Sequence, residues 1–343
     1  LSGLEKIDMT TIILDAMGSD HYPHPEVAAA VEAARRWQEP LILVGNRAKV
    51  EPLLSEVSYP SKHIRLIHAE QVLEMTDKPA SAAKGKAANS MAVGMDLLKA
   101  GEGQAFVTAG NTGGAMANAL FRLGRIRGVK RPALAATFPV AGGQTIAIDV
   151  GANADCRVEY LAQFALLGSI YAGKVLDKSN PAVGLLSNGE EAGKGNALVK
   201  EAFGLLEECG VNFIGNVEPK EVFAGQVDVV ISDGFIGNVF LKTSEAVASF
   251  LIQTIRRELT SAPLTTLGGL LARPAFRRIG HLLDPAEYGA APLLGVEGLV
   301  FIGHGRSDAH ALVSAIRVAR QAAETDLLAA MRSAFQQRKD IIA

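Results

Sequence analysis

Short apolar runs of strand character alternate along this chain with longer amphipathic stretches. Six of the short runs end in a glycine-rich polar turn: TIILDAMGSD (11–20), AFVTAGNTGG (105–114), TIAIDVGANAD (145–155), AVGLLSNGEEAGKG (182–195), VDVVISDGFIGN (227–238) and LVFIGHGRSD (299–308). The short apolar run Thr11–Ala16 predicts a strand, followed by a helix near Glu26–Gln38 and a second strand near Pro40–Val44, a βαβ beginning. Glu70–Lys86 is polar and irregular. Ala87–Ala100 reads as a helix that stops at Gly101 and delivers the strand Ala105–Thr108, with another helix starting just after Gly110. Further helices are predicted over Asp155–Tyr171, Glu191–Glu208 and Asp308–Phe335. Alternation of this kind predicts an α/β fold with a doubly wound, mostly parallel sheet. In such sheets the loops at the carboxyl ends of the strands form the ligand crevice, and the N–H groups of the following helices favour anions. A phosphate-handling cleft is therefore the first expectation.

Composition narrows the setting. The chain has 343 residues, 48% hydrophobic and 20% charged, enough for one large globular unit or two lobes. A net charge of −2 excludes a globally basic nucleic-acid binder, and no nucleic-acid partner is expected. Two distant cysteines, Cys156 and Cys209, suggest neither a disulfide framework nor a zinc site, and fit a reducing cytoplasm. No apolar stretch of transmembrane length is expected. The segment LSGLEKID before Met9 has the character of neither a signal peptide nor a strand, and is read as foreign to a natural start at Met9.

Common cofactor signatures fail one by one. Gly193-Lys194 resembles the end of a P-loop, but Asn188 stands where the first glycine belongs and Gly195 where Ser or Thr would hold magnesium. Gly303-His304-Gly305 lacks the third glycine of a dinucleotide turn. There is no G-x-S-x-G elbow, and His21 and His24 sit beside prolines without a third ligand nearby. No metal and no cofactor are expected.

The turns themselves carry the chemistry. Ser187-Asn188-Gly189-Glu190-Glu191 ends a strand and opens a helix, with Ser187 or Asn188 able to cap it and Lys194 within its first turns. Two readings of Lys194 stand side by side: a cation that binds phosphate or a developing oxyanion, or a solvent-facing lysine paired with Glu190 or Glu191. In Ser232-Asp233-Gly234-Phe235-Ile236-Gly237-Asn238 the glycines permit close backbone approach, and Asp233 either orients a donor or shapes the turn. Asp15 and Asp149 also stand at strand ends, where a cap is the cheaper explanation than a metal.

In order along the chain, DAMGSDHYP, AGNTGGAMA, VKRPALA, DVGAN, SNGEEAGKG, SDGFIGNVFLK and YGAAPLLGVEGLVFIGHG closely resemble the bacterial phosphate acyltransferase family, from Thr10 to Ala334. Ser19 and Ala290 stand where that family commonly has glycine, and neither removes a chemical group. The resemblance implies transfer of a long fatty acyl group from acyl carrier protein to inorganic phosphate, giving acyl phosphate for phosphatidic acid synthesis by a downstream glycerol-3-phosphate acyltransferase. It also implies a fold of isocitrate/isopropylmalate dehydrogenase type, with two closely joined lobes, 9–140 plus 300–343 and 141–299. Under it, Lys194 with amides around Ser187, Asn188, Gly189, Gly234 and Gly237 holds phosphate or the oxyanion, beside Asp233. Asn111, Asn153 and Asn238 orient substrate, and His304 gives a proton to the leaving thiolate or is structural. An acyl-lysine at Lys194 is a variant. A small-acyl coenzyme A phosphotransferase, a dehydrogenase of isocitrate type and a non-catalytic membrane scaffold are the competing readings.

Two further features fit the implied partners. From Gly103 to Ile148 the chain has no Asp or Glu, while Arg122, Arg125, Arg127, Lys130 and Arg131 cluster within it. Such a patch is either a solvated face or a dock for the acidic carrier. From Asn238 to Asp284 apolar residues recur at helical spacing around a break expected at Pro274, predicting a protruding helical hairpin. Its first helix suits a dimer core or ordinary packing. Its second, with Leu267, Leu271, Phe276 and Ile279 beside Arg273, Arg277 and Arg278, suits either packing or a membrane surface. The family resemblance implies a homodimer, cytoplasmic and peripherally attached to the inner face of the membrane.

Overall fold

The computed structural model describes residues 10–337, so the expectation for residues 1–8 and Met9 lies outside the described residues. The chain forms two compact units, residues 10–132, 170–178 and 289–337 making the first and 133–169 and 179–288 the second.

The chain opens in the first unit with β1 (Ile12–Asp15), α1 (His24–Trp37), β2 (Leu41–Gly45), α2 (Arg47–Ser55), β3 (Ile64–His68), α3 (Pro79–Gly85), α4 (Ser90–Lys99), β4 (Ala105–Thr108) and α5 (Thr112–Arg122). It continues in the second with β5 (Ala133–Val140), β6 (Gly143–Ile148), α6 (Val158–Val175, of which residues 170–175 count with the first unit), β7 (Ala182–Leu186), α7 (Ala197–Glu208), β8 (Asn212–Val217), α8 (Pro219–Phe223), β9 (Val229–Ile231), α9 (Gly234–Leu259), α10 (Pro263–Leu283) and α11 (Pro285–Tyr288). It returns to the first with β10 (Ala291–Leu294), β11 (Leu299–Ile302), α12 (Ala309–Glu324) and α13 (Leu327–Gln337).

Strands of the first unit run β3-β2-β1-β4-β11-β10, parallel except for β10 against β11. Those of the second run β5-β6-β9-β7-β8, parallel except for β5 against β6. The central strands are buried along their whole length, as parallel strands covered on both faces require. Each unit is thus the mostly parallel α/β sheet that the alternation predicts. The units divide at 132/133 and 288/289 rather than at 140/141 and 299/300. Strand β5 pairs with β6 from Ala135 to Val140, and β10 pairs with β11.

Several boundaries differ from expectation for local reasons. Helix α7 starts at Ala197 rather than Glu191, because Asn196 caps it by accepting from Val199 N–H. The expected final helix is two, interrupted where Asp326 adopts φ 52°. The irregular stretch before Lys86 contains α3. Pro274 lies inside α10 without ending it, and the hairpin turns at 260–262 instead. Helix α9, contrary to expectation, has the length and apolar composition to cross a membrane.

Among the described residues α10 buries none and α9 only Gly234 and Gly237. On α10 the half-buried positions 269, 272, 276, 280 and 283 recur at helical spacing. They mark the face toward α9, since a Cβ on Gly269 would meet Leu259 at 3.4 Å. Phe276 belongs to that face. The opposite stripe of α10 carries Leu264, Leu267, Leu271 (78% exposed), Ile279 and Leu282 in solvent.

Candidate active site

In the second unit, Ile148 of β6 registers with Ile231 of β9 and Ile231 with Leu185 of β7, so the loops after these three strands leave one sheet edge side by side. The first two loops are organised by Asp149, which is fully buried. Its Oδ1 accepts from the N–H groups of Leu134 (3.0 Å), Gly151 (3.2 Å) and Ala152 (3.0 Å), and its Oδ2 from Asn153 N (2.7 Å) and Nδ2 (2.9 Å). Burial pushes this carboxyl above the ordinary carboxylate range, and the donors act against that rise.

Around this hub Asn153, Asp233, Gly234, Gly237 and Asn238 converge. Asn153 carbonyl accepts from Gly234 N–H at 2.8 Å, and Asn238 Nδ2 donates to Val150 O at 2.9 Å. Asp233 caps α9 by accepting from Ile236 N–H at 2.8 Å, so it shapes the turn. Gly237 is required by contact: a Cβ there would lie 1.9 Å from the Asp149 carbonyl oxygen. Asn153 and Asn238 each place one side-chain N–H on a partner within the protein, Asp149 Oδ2 and Val150 O. Neighbouring Cys156 is pushed up to about 12 by burial and by Asp149, so it is a thiol rather than a thiolate at neutral pH.

The β7 loop is different. Asn188 Oδ1 accepts from Gly195 N–H (2.9 Å), so it folds the loop rather than capping the helix, and Lys194 precedes α7 instead of lying in its first turns. Gly189 is buried against the lysine stem, with a Cβ there placed 2.8 Å from Lys194 Cγ. Ser187 Oγ is buried without a partner. Glu190 is paired with Lys220 at 3.0 Å. Among the described residues the Lys194 ammonium has no carboxylate within 4.0 Å, so the pairing with Glu190 or Glu191 does not form. Lys194 is a cation at a sheet edge with backbone amides around it, which is what binding an anion needs.

In the first unit, β1, β4 and β11 bring three more loops to one edge. Thr108 Oγ1 donates to Asp15 Oδ2 at 2.7 Å and accepts from Gly110 N–H, Thr108 O accepts from Gly303 N–H, and Gly305 O accepts from Asp20 N–H. Gly18 has no room for a side chain, since a Cβ would lie 2.8 Å from Gly110 N. His304 stands in the loop after β11, its carbonyl accepting from Ser307 N–H. Asn111 caps α5 by accepting from Gly114 N–H and donates to Met75 O at 2.9 Å, so its amide fastens the 74–77 segment. Ser19 is buried and its N–H donates to Glu26 Oε1 at 2.8 Å, while Ser19 Oγ and Glu26 Oε2 find no partner. Burial raises Glu26 to about 7.

The basic cluster is only partly free. Arg122 pairs with Asp96 at 2.9 Å and donates to Ala87 O, and Arg125 donates to Lys130 O. Arg127 and Arg131 are exposed. Missed in the sequence were Asp149 as the hub, for which its place directly after a strand was the available signal, and Lys220, thirty residues from Glu190 with no local signal.

The profile of the fatty acid synthesis protein family matches residues 10–330. A phosphate acyltransferase of Syntrophotalea carbinolica is 46% identical over 310 residues, covering 90% of this chain and 89% of that protein. One from Heliobacterium modesticaldum is 46% identical over 322 residues, covering 94% and 96%. Among solved structures, a phosphotransacetylase from Streptococcus pyogenes superposes with a TM-score of 0.60 at 18% identity, covering 92% of this chain and 94% of that one. A 4-hydroxythreonine-4-phosphate dehydrogenase from Klebsiella pneumoniae gives 0.54 at 14% identity, covering 92% and 99%. The structural likeness shows a shared fold. Identity at this level over nine-tenths of the chain shows more: the protein belongs to the phosphate acyltransferase family of fatty acid synthesis proteins and is an acyltransferase.

Proposed function

We propose that the protein transfers a long-chain acyl group from acyl carrier protein to inorganic phosphate, supplying acyl phosphate to a glycerol-3-phosphate acyltransferase on the way to phosphatidic acid. A phosphate oxygen attacks the thioester carbonyl, the tetrahedral oxyanion collapses, the C–S bond breaks and the thiolate leaves with a proton. Phosphate is already nucleophilic near neutral pH and the thiolate is a good leaving group, so the demands on the protein are placement and charge stabilisation. The observation that carries this reading is the Lys194 ammonium, without a carboxylate partner among the described residues, on the glycine-rich β7 loop. Lys194 and the amides near Asn188 and Gly189 hold phosphate or the oxyanion. Asn153, Asp233, Gly234, Gly237 and Asn238 fix the adjoining loops, and His304 is the proposed proton donor to the thiolate.

Arg127 and Arg131 are proposed to dock the acidic carrier. The exposed apolar stripes of α9 and α10 support a homodimer and attachment to the cytoplasmic face of the membrane, where a poorly soluble product is handed on.

The test is acyl phosphate formation from long-chain acyl carrier protein and phosphate, with acetyl coenzyme A in parallel and no added metal. Turnover of the carrier substrate is expected, with a loss of about a hundredfold in Lys194→Ala, the usual cost of one oxyanion donor. Turnover of acetyl coenzyme A alone would refute the substrate assignment, and no turnover of either would favour a scaffold. Loss of less than about tenfold in folded Lys194→Ala would remove that residue from its role.

A further inference from the structure

We propose that Lys220 is a positioning residue: by holding Glu190 it keeps a carboxylate away from the Lys194 ammonium and leaves that charge available to phosphate. The inference rests on the phosphate-binding role proposed for Lys194. Lys220, at the start of α8, meets Glu190 at 3.0 Å, Glu221 at 3.3 Å and Glu218 at 3.4 Å. Glu218 and Glu221 belong to its own turn, where Glu221 Oε2 accepts from Glu218 N–H at 2.8 Å. Glu190 comes from the β7 loop, four residues before Lys194. One lysine thus draws a carboxylate of the candidate anion site toward the β8–α8 turn.

A second tether points the same way. Asn216 of β8 is buried, and its Nδ2 donates to Glu191 O at 2.9 Å, the same carbonyl that accepts from Lys194 N–H at 2.9 Å. The loop is therefore fixed with Glu190 on the side of β8, and Lys194 turned back over Gly189. Glu191 Oε2 already lies beside that glycine, 2.9 Å from where its Cβ would be. Release of Glu190 would let its carboxylate turn to the lysine and set it in competition with phosphate, since opposite charges a few residues apart in a tight turn pair readily.

The experiment measures the Kd of inorganic phosphate by calorimetry, and phosphate KM and kcat with long-chain acyl carrier protein, for wild type, Lys220→Met, Lys220→Arg and Glu190→Gln/Lys220→Met. Lys220→Met is expected to weaken phosphate binding about threefold to fivefold, the scale of one exposed ion pair, with kcat within about twofold of wild type. Removing the freed carboxylate in the double variant restores phosphate Kd to within about twofold, and Lys220→Arg behaves as wild type. Loss of stability alone would leave the double variant no better than Lys220→Met. That result, or a folded Lys220→Met with wild-type phosphate Kd, would overturn the proposal. Wild-type turnover and the Lys194→Ala loss judge the proposed function separately, because the Kd arm needs no acyl substrate. Should Lys220→Met fail to fold while the double variant folds with weakened phosphate binding, the proposal is likewise overturned.

Discussion

Replacing Glu26 by glutamine should stabilise the protein above neutral pH. Glu26 sits in the first turn of α1, fully buried, with Oε1 accepting from Ser19 N–H and Oε2 without a partner. Burial raises its pKa from an ordinary 4.5 to about 7, with Asp15 adding to the rise. The folded state therefore holds the proton more tightly than the unfolded chain, and stability falls as pH climbs from 4.5 to 7. At about 1.4 kcal/mol for each tenfold change in proton affinity, that rise corresponds to roughly 3 kcal/mol lost above pH 7 and none lost below 4.5. Glutamine keeps the acceptor for Ser19 N–H, carries no charge to desolvate, and offers an N–H₂ to Ser19 Oγ, which is also buried without a partner. A favourable helix-end interaction of about 0.5 kcal/mol is given up in exchange. Urea unfolding of both proteins at pH 5, 7 and 8.5 should show the variant gaining roughly 2–3 kcal/mol at pH 8.5, and little at pH 5. A difference that is constant with pH, or a variant weaker than wild type at pH 8.5, would refute the reasoning.

Other substitutions probe the loops, the patch and the hairpin. Gly237→Ala forces a methyl against the Asp149 carbonyl and Ser232 Oγ, and should cost about 3 kcal/mol or more in a thermal melt, whereas Gly193→Ala, with nothing within 4 Å, should cost about 1 kcal/mol or less. A wild-type melt for Gly237→Ala would mean that α9 does not press on Asp149. Reversal of Arg127 and Arg131 to glutamate should raise the carrier KM about tenfold at low salt and much less at high salt; an unchanged KM would remove the patch from docking. Leu267→Asp with Leu271→Asp should abolish binding to vesicles containing anionic lipid while leaving turnover in solution intact, and retained binding would place the membrane contact elsewhere.

Periodicity made the sheets legible because parallel strands buried on both faces read as short apolar runs, and because glycine marks where each one ends. Helix starts were less legible. Asn188 and Asn196 both stand where a cap could form, and only the fold of the intervening turn, fastened by Gly195 N–H on Asn188, decides for Asn196. Pro274 was read as a break, yet α10 continues past it: the helix is mostly in solvent, where water can take up the carbonyl that proline leaves without a donor. For the candidate site, sequence picked out the glycine-rich loops but not the contacts within them. The amides of Asn111, Asn153 and Asn238 reach Met75, Asp149 and Val150, partners 36, 4 and 88 residues away that no local pattern announces. Arg122 likewise reads as free charge until Asp96, 26 residues away, is brought to it.

Those contacts follow from competition for the same donors. A carboxylate held by the protein and a phosphate arriving from solution both seek backbone N–H groups at the carboxyl edge of the sheet, and each donor serves one of them well. Asp149 takes five N–H contacts from Leu134, Gly151, Ala152 and Asn153, so the β6 loop is already satisfied and rigid, with little left for an external anion. The β7 loop has the opposite balance: its Glu190 is drawn away to Lys220, and its lysine lacks a counter-ion among the described residues. The cation unpaired among the described residues therefore lies on the β7 loop, while the carboxylate that organises the β6 and β9 loops already has its donors. On this account, an acidic residue beside a phosphate site does not argue against it where another partner holds its carboxylate, as Lys220 holds that of Glu190. The pairing of Glu190 decides how much of the Lys194 charge phosphate can use.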